Sequence, residues 1–535
     1  MTKGISGVLK NPKNLSILLV LVSIILLGAI LRIKDLSTNP PGFYADEASI
    51  GYNAYKILTT GHDEHGKFMP VFFEAFGEYK NPFAIYPVVP LIAFFGPNEF
   101  AVRLTQAIWG LFDILIIFFL GRELFGAKFG ILAAFILAIS PWHVHMSRFI
   151  IESHNAFIFF VCGGLLFTLI SIRKKWETRY LIFASIFWAL SFYTYFATRI
   201  FTPLFLIGLA LIFIKEILLF FAKHRKKFLL TVLLFGIIIF PFVIHLLSGK
   251  ALLRFQQVSL NREDQKIDLI GKSKNLYVAH LAPKFVFITG DSDYPGQMSV
   301  RHSVTGMGLM YKWQLPFFLI GLVYLMFFKN RIWGFRARSI LLLMLFLYPL
   351  GSVISEAKTP YATRSVIGVV PYTLIIACGI WAIYLLLQKI RPLLAGFLAK
   401  IVFSFTIIFL TTFYLHRFIA LSGTYINVAS GYNGFQYGTR DVMNFFLKNY
   451  DFYDLMILYS GVDGGDAYVK FYTLDKCSKC YYRDPKMGDR SLKKLIAVSS
   501  ENTDRFDEEY SGEVVENIFF PNGREAYKIY SARSK

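Results

Sequence analysis

The strongest constraint in this sequence recurs along its length: apolar runs long enough to cross a bilayer, separated by short polar linkers. A helix needs roughly 18 or more apolar residues to span the hydrocarbon core, and its backbone polar groups must be satisfied within the helix itself. Candidate spans lie at approximately 15–32, 103–121, 126–141, 155–172, 180–195, 200–220, 229–247, 314–328, 338–354, 366–388 and 399–420. With 55% of its 535 residues hydrophobic and 17% charged, the chain lacks the polar surface that a soluble enzyme of this length needs. The expectation is a polytopic all-α membrane protein with about 11 transmembrane helices.

The linkers set the orientation. "GRELFGAKFG", "RKKWETR", "KHRKK", "KNRIWGFRAR" and "QKIRP" are basic, and Lys and Arg collect in cytoplasmic loops. The first run follows "MTKGISGVLKNPKN" and reads as an uncleaved signal anchor with its N-terminus inside; all five linkers then fall on the cytoplasmic side. An odd number of spans leaves the C-terminal domain outside. "PFAIYPVVPLIAFF", residues 82–95, is too short and too rich in proline for a span, and counting it would invert every later loop. It reads as an interfacial or re-entrant segment. The chain thus divides into a membrane part, 1–421, with outside loops at about 33–102 and 248–313, and a soluble extracytoplasmic tail, 422–535.

The net charge of +21 belongs to the membrane part, because the tail holds 15 basic and 16 acidic residues, leaving 41 and 19 elsewhere. The basic excess therefore marks topology and contact with membrane lipids, and no nucleic-acid partner is expected. In the tail, "GTRDVMNFFLKNY" has the period of an amphipathic helix and "DLMILYS" that of a buried strand, so a small α/β domain is expected. Cys162 and Cys378 fall in apolar runs as packing residues; Cys477 and Cys480, in "CSKC", fit a local disulfide, a redox pair or half a metal site.

On the outer face, parity gathers ionisable residues of both signs: Asp46 and Glu47; Glu74, Glu78 and Lys80; His143, His145, Arg148, Glu152 and His154; Arg199; Asp291, Arg301 and His302; Glu356, Lys358 and Arg364. Such residues at a bilayer boundary are costly unless they face a cavity or a partner. Asp46 and Glu47 diverge by about 100° if helical, so one is the working acid and the other supports it. Asp46 also suits the N-cap of a helix at 47–58. Glu152 suits an ion pair with Arg148 one turn away, and Arg364 an anchor that snorkels to headgroups. The three histidines leave a divalent cation open, although no HxxxH or HExxH is present.

The order of these pieces carries a resemblance. A signal anchor precedes the "DE" pair; "EYKNP" opens a short apolar segment; "FFGPNEFAVRLTQAIWGLFDILIIFFLGRELFG" follows; "TPYATRSVIGVVP" opens a late span. This resembles the GT-C class of polyprenyl-phosphate-sugar-dependent glycosyltransferases, in particular the family 39 type that includes protein O-mannosyltransferases and aminoarabinose transferases. The resemblance implies a GT-C fold and transfer of a sugar from a polyprenyl-phosphate donor to a protein, lipid or glycan acceptor outside the cell membrane. It also implies roles: Asp46 as base toward the acceptor, Glu47 as its partner, Glu152 as a second acid, and Glu78 and Lys80 as an acid–lysine element near the donor phosphate. Tyr79 and Asn81 interrupt the tighter acid-lysine-proline form. Arg364 matches an arginine that meets lipid phosphate, and Arg148, Arg199 and His302 join it as candidate phosphate ligands. The loop 248–313 is too short for a β-trefoil insert, which disfavours a eukaryotic-type protein mannosyltransferase.

The chemistry reads the same way from the residues. The acceptor hydroxyl needs a base, and the departing phosphate needs cations. The rivals are a flippase for lipid-linked glycans and a non-catalytic receptor. A flippase wants ionisable groups at mid-membrane; only Asp113, in "GLFDILI", lies there.

Overall fold

The computed structural model describes residues 12–253, 269–295, 301–327, 333–354, 359–390, 393–422, 434–485, 492–510 and 512–532; Glu356 and Lys358 lie outside them. The membrane part begins with α1 (Pro12–Ile33), α2 (Ala45–Thr60), a hairpin of β1 (Phe73–Ala75) and β2 (Glu78–Lys80), then α3 (Pro82–Ile85) and α4 (Val88–Phe95). It continues with α5 (Glu99–Phe125), α6 (Ala127–Ile139), α7 (Pro141–Met146), α8 (His154–Arg173), α9 (Thr178–Ser191), α10 (Thr198–Ile212), α11 (Ile214–Lys223) and α12 (Arg225–Leu247). After α13 (Leu269–Leu281) come α14 (Leu315–Phe327), α15 (Phe335–Leu347), α16 (Leu350–Val353), α17 (Val369–Leu387) and α18 (Leu393–Ser422).

Among the described residues, seven helices are long and apolar enough to cross a membrane, and α10 with α11, bent by 80°, makes an eighth. Among the same residues, four shorter apolar helical stretches lie at Pro82–Phe95, Ala127–Ile139, Thr178–Ser191 and Lys312–Phe327; the last three stand where the sequence reading placed spans, the first where it placed an interfacial segment. The segment 82–95 forms two short helices, α3 and α4, that pack beneath α2. Their prolines at positions 82 and 90 suit the first turns of short helices and interrupt a longer one.

Burial sorts the bundle. The span containing α17 buries 89% of its apolar window, whereas α12 and the span in α18 bury 11% each, so α17 is central and the other two face lipid. α14 and α17 meet glycine to glycine. A Cβ on Gly321 would stand 2.0 Å from the Ile375 carbonyl oxygen, and one on Gly379 would stand 1.8 Å from that of Phe317. Without a hydrophobic drive between helices in lipid, such backbone approach is what holds a pair together. Four of the five basic linkers are joined at one end of the bundle: Arg173 pairs with Glu123 at 2.6 Å, Trp333 Nε1 donates to the Glu123 carbonyl at 3.2 Å, Arg336 pairs with Glu216, and the Lys227 ammonium donates to the Trp176 carbonyl at 3.1 Å.

The tail comprises α19 (Thr439–Lys448), β3 (Leu455–Leu458), α20 (Gly465–Thr473), β4 (Cys480–Tyr482), β5 (Lys494–Ser499), α21 (Thr503–Glu509), β6 (Glu513–Phe519) and β7 (Glu525–Ala532). The strand order is β4-β3-β5-β7-β6, with the first three parallel and the last two antiparallel. On one face Met456, Leu458, Leu495 and Ala497 pack against Tyr468 and Phe471 of α20. On the other Leu455, Ile457, Ile496 and Val498 pack against Phe506 of α21. The first of these cores is continuous with Ile50 and Ala54 of α2, Val88 and Ile92 of α4 and Val102 of α5, so the tail is seated on the membrane part. Cys477 and Cys480 form a disulfide.

Candidate active site

The N-terminus of α2 separates its two acids. The helix begins after Tyr44, whose N–H donates to Glu47 Oε2 at 2.9 Å, so Glu47 does the capping that the sequence suggested for Asp46. Glu47 also accepts a two-pronged contact from Arg103 of α5, Nε to Oε1 and Nη2 to Oε2, both at 2.9 Å, and lies 3.3 Å from the Ile150 N–H. Both side chains are fully buried, and Arg103 further ties down the carbonyls of Leu36, Pro40 and Gly42. The expected catalytic part for Glu47 thus gives way to a structural one: its oxygens are taken, and it fixes α2 on α5.

Asp46, one position earlier, points elsewhere and meets Lys80 in an ion pair. The β1–β2 hairpin delivers that lysine. Its two turn residues, Phe76 and Gly77, both take positive φ, 53° and 73°, as a tight hairpin with the strands' own twist requires. Lys80 is 1% exposed and Asp46 15%, so the acid keeps the opening to solvent. Burial alone would lower the Lys80 ammonium, but the carboxylates of Asp46, Glu152 and Glu78 outweigh it and hold the group above its ordinary range.

Asn81 extends the cluster. Its Nδ2 donates to Glu152 Oε2 at 3.2 Å, and its Oδ1 accepts from Arg199 Nη2 at 3.1 Å. Asn81, one of the two residues that interrupt the acid-lysine-proline run, therefore bridges Glu152 and Arg199. Burial pushes the Glu152 carboxyl up to about 7, with Lys80 and Asn81 pulling down and the charges of Glu78 and Asp46 pushing up. Arg199 donates its Nη1 to the Ala251 carbonyl at 2.7 Å, while its buried Nε has no partner among the described residues. His154 is 1% exposed, and neither ring nitrogen has a hydrogen-bond partner among the described residues. The charges of Asp46 and of His302 both reach it. Buried polar groups of this kind call for a partner such as a water or a bound group.

His302 and Arg364 form a neighbouring group. His302 Nδ1 lies 3.3 Å from Asp291 Oδ2, its ring is 5.3 Å from that of Tyr361, and the Arg364 guanidinium lies 4.5 Å over the same tyrosine. Arg148 departs from the expected phosphate role. It is buried and gives its guanidinium to the carbonyls of Leu31, Lys34 and Asn39, each at 2.7–2.8 Å, so it is a strut beneath the end of α1. Among the described residues, no three His, Cys, Asp or Glu side chains are arranged to hold a metal ion; Asp46, Glu78 and Glu152 act instead on Lys80.

The mid-span acid also finds its reason. Asp113 Oδ2 lies 2.9 Å from His143 Nε2, and His143 Nδ1 lies 2.6 Å from Arg32 Nη2, all three fully buried. This chain of contacts pins α1, α5 and α7 together. Sequence reading missed Arg32 and Arg103. The available signal was their type: a guanidinium at the edge of an apolar run is costly without a partner.

Three comparisons bear on this arrangement. Residues 80–245 match the family described as dolichyl-phosphate-mannose-protein mannosyltransferase, a match that begins at Lys80. The structure resembles the archaeal oligosaccharyltransferase AglB from Archaeoglobus fulgidus, solved with an inhibitory peptide and a dolichol-phosphate, at 14% identity and a TM-score of 0.56 over 98% of this chain and 75% of that one. It also resembles ArnT from Cupriavidus metallidurans, solved bound to undecaprenyl phosphate, at 12% identity and a TM-score of 0.57 over 96% of this chain and 97% of that one. No curated protein matches in sequence.

Proposed function

We propose that this chain, a polytopic membrane protein of the GT-C fold, is a glycosyltransferase that moves a sugar from a polyprenyl-phosphate donor to a hydroxyl of a polypeptide acceptor on the extracytoplasmic face. The Asp46–Lys80 pair carries the reading: a carboxylate with an opening to solvent, gripped by a buried ammonium at the edge of the bundle. The acceptor oxygen bonds to the anomeric carbon as the bond from that carbon to the phosphate oxygen breaks. The phosphate leaves with the electron pair, and the hydroxyl proton passes to Asp46. In this reading Lys80 turns from Asp46 toward the charge that grows on the leaving phosphate, which is where a fixed cation contributes most. The open donor positions of Arg199 and His154 supply further contacts, and Arg364 serves the phosphate from the neighbouring group. The acceptor class rests on the family match over residues 80–245 and on the peptide that the AglB structure holds.

The test is Asp46→Asn in purified enzyme. Turnover is expected to fall about 10²–10⁴-fold, the usual loss for a general base, with expression unchanged and polyprenyl phosphate bound at least as tightly. Near wild-type turnover would reduce Asp46 to a partner of Lys80.

A further inference from the structure

Asn81 stands where its residue type normally serves its own helix. It precedes α3 with an extended backbone, φ −80° and ψ 150°, and proline follows at the first helical position. Asn is among the best caps for such an end. Yet the Asn81 side chain makes no capping hydrogen bond. It is 1% exposed and turns instead to two groups from distant parts of the chain, Glu152 Oε2 at 3.2 Å and Arg199 Nη2 at 3.1 Å.

The direction of the amide is forced. A guanidinium offers only donors, so it must meet Oδ1, which leaves Nδ2 for the carboxyl. An amide placed this way satisfies both neighbours and adds no charge. It also keeps them from each other. The charge of Glu152 already reaches Arg199, and a carboxylate and a guanidinium free to touch close into a two-pronged pair. The molecule contains that closed form elsewhere: Arg103 spends Nε and Nη2 together on Glu47. Arg199 is the open form. Its Nη1 goes to the Ala251 carbonyl, its Nη2 to Asn81, and its buried Nε has no partner among the described residues. Closure onto Glu152 would fix that acid as a carboxylate and use up the Nε.

We propose that Asn81 is a positioning residue that holds Glu152 and Arg199 apart, leaving the carboxyl able to gain and lose its proton and the guanidinium Nε open to the donor phosphate. Its bearing on the donor rests on the function proposed above.

The sign of each substitution follows. Lys80 and Glu78 from β2, Asp46 from α2 and Arg199 from α10 face Glu152, whose carboxyl burial pushes up to about 7. In Asn81→Ala the spacer is gone. Arg199 then meets Glu152 and favours its ionised form, so the midpoint of its titration should fall by about one pH unit or more. Asn81→Asp keeps the shape of the side chain. The new carboxylate takes Arg199 and opposes a second negative charge on Glu152, so the midpoint should rise by about as much.

The experiment is a pH titration of the full-length protein in nanodiscs by infrared difference spectroscopy. The band followed is the carbonyl stretch of a protonated carboxyl that is lost in Glu152→Gln. Opposite displacements in the two variants are expected, and adding Arg199→Met to Asn81→Ala should abolish the fall. A midpoint that stays or moves the other way in either folded variant overturns the proposal, as does a fall that persists without Arg199 or a wild type in which Glu152 does not titrate. Asn81→Asp decides the matter if the alanine variant does not fold. A second measurement uses undecaprenyl methyl phosphate, a diester of constant charge that carries no sugar. Asn81→Ala should bind it about tenfold or more weakly at pH 6, because Arg199 is spent on Glu152. Wild-type protein that does not bind this diester would overturn the donor class, while the infrared midpoints would still decide the part of Asn81.

Discussion

Asp46 and Glu47 are adjacent in the sequence and opposite in use. Glu47 completes a buried ion pair with Arg103 and caps its own helix. Removing one partner of a buried pair leaves an uncompensated charge, at a cost of about 3–5 kcal/mol. Glu47→Gln is therefore expected to lower thermal stability in detergent markedly, where Asp46→Asn does not; equal melting temperatures would contradict the division. A second expectation concerns Glu152, whose carboxyl burial pushes up to about 7. Below that pH it is neutral; as pH rises through about 7 it ionises and adds a negative charge beside Lys80. Affinity for a polyprenyl-phosphate sugar, a diester whose own charge is constant over this range, should weaken across that window, and Glu152→Gln should flatten the profile. A wild-type profile flat from below 7 to above it would remove Glu152 from the donor's surroundings. The sequence made the acids legible because they stand at the mouth of an apolar run. Their assignments were not, since the partner of Glu47 lies on another helix and Asn81 was seen only as an interruption.

Elements were the most legible level, because bilayer thickness sets their length and apolar runs report it directly. What the runs could not show was close contact between them. The α14–α17 packing depends on Gly321 and Gly379 facing each other's backbone, and neither stands out in a sequence with 39 glycines. Gly379→Ala would place a methyl group into the Phe317 carbonyl, so the helices must separate, with a loss of about 1–3 kcal/mol. Gly236→Ala on α12 meets nothing within 4 Å and should be neutral or slightly stabilising. Thermal unfolding of the two variants in the same detergent checks the contrast, and equal shifts would mean that the glycine contact does not hold the pair. The β1–β2 hairpin was equally hidden: strands of three residues are too short for a periodic signal, yet their turn sets where Lys80 lies.

At the scale of the whole molecule, the two ends of the bundle differ in chemistry. Four of the five basic linkers meet at one end, through Arg173–Glu123, Trp333–Glu123, Arg336–Glu216 and Lys227 with Trp176. The site and the tail share the other, joined by the Tyr44–Asp463 and Tyr52–Asp475 hydrogen bonds and the Lys470–Glu64 ion pair. Lys and Arg favour the cytoplasmic side, so we propose that the tail and Asp46 face outward together. Because the tail is bolted to α2, one label on the tail reports the side of the active site as well. Glu516, exposed on β6, is a suitable position. Cys162 and Cys378 are buried and Cys477 and Cys480 are joined, so Glu516→Cys adds an accessible thiol against a quiet background. In intact cells (spheroplasts where an outer barrier exists) a membrane-impermeant maleimide should label this variant well above the unsubstituted chain. Labelling only after lysis would turn the molecule over, placing the basic linkers and the donor chemistry on faces opposite to those argued here.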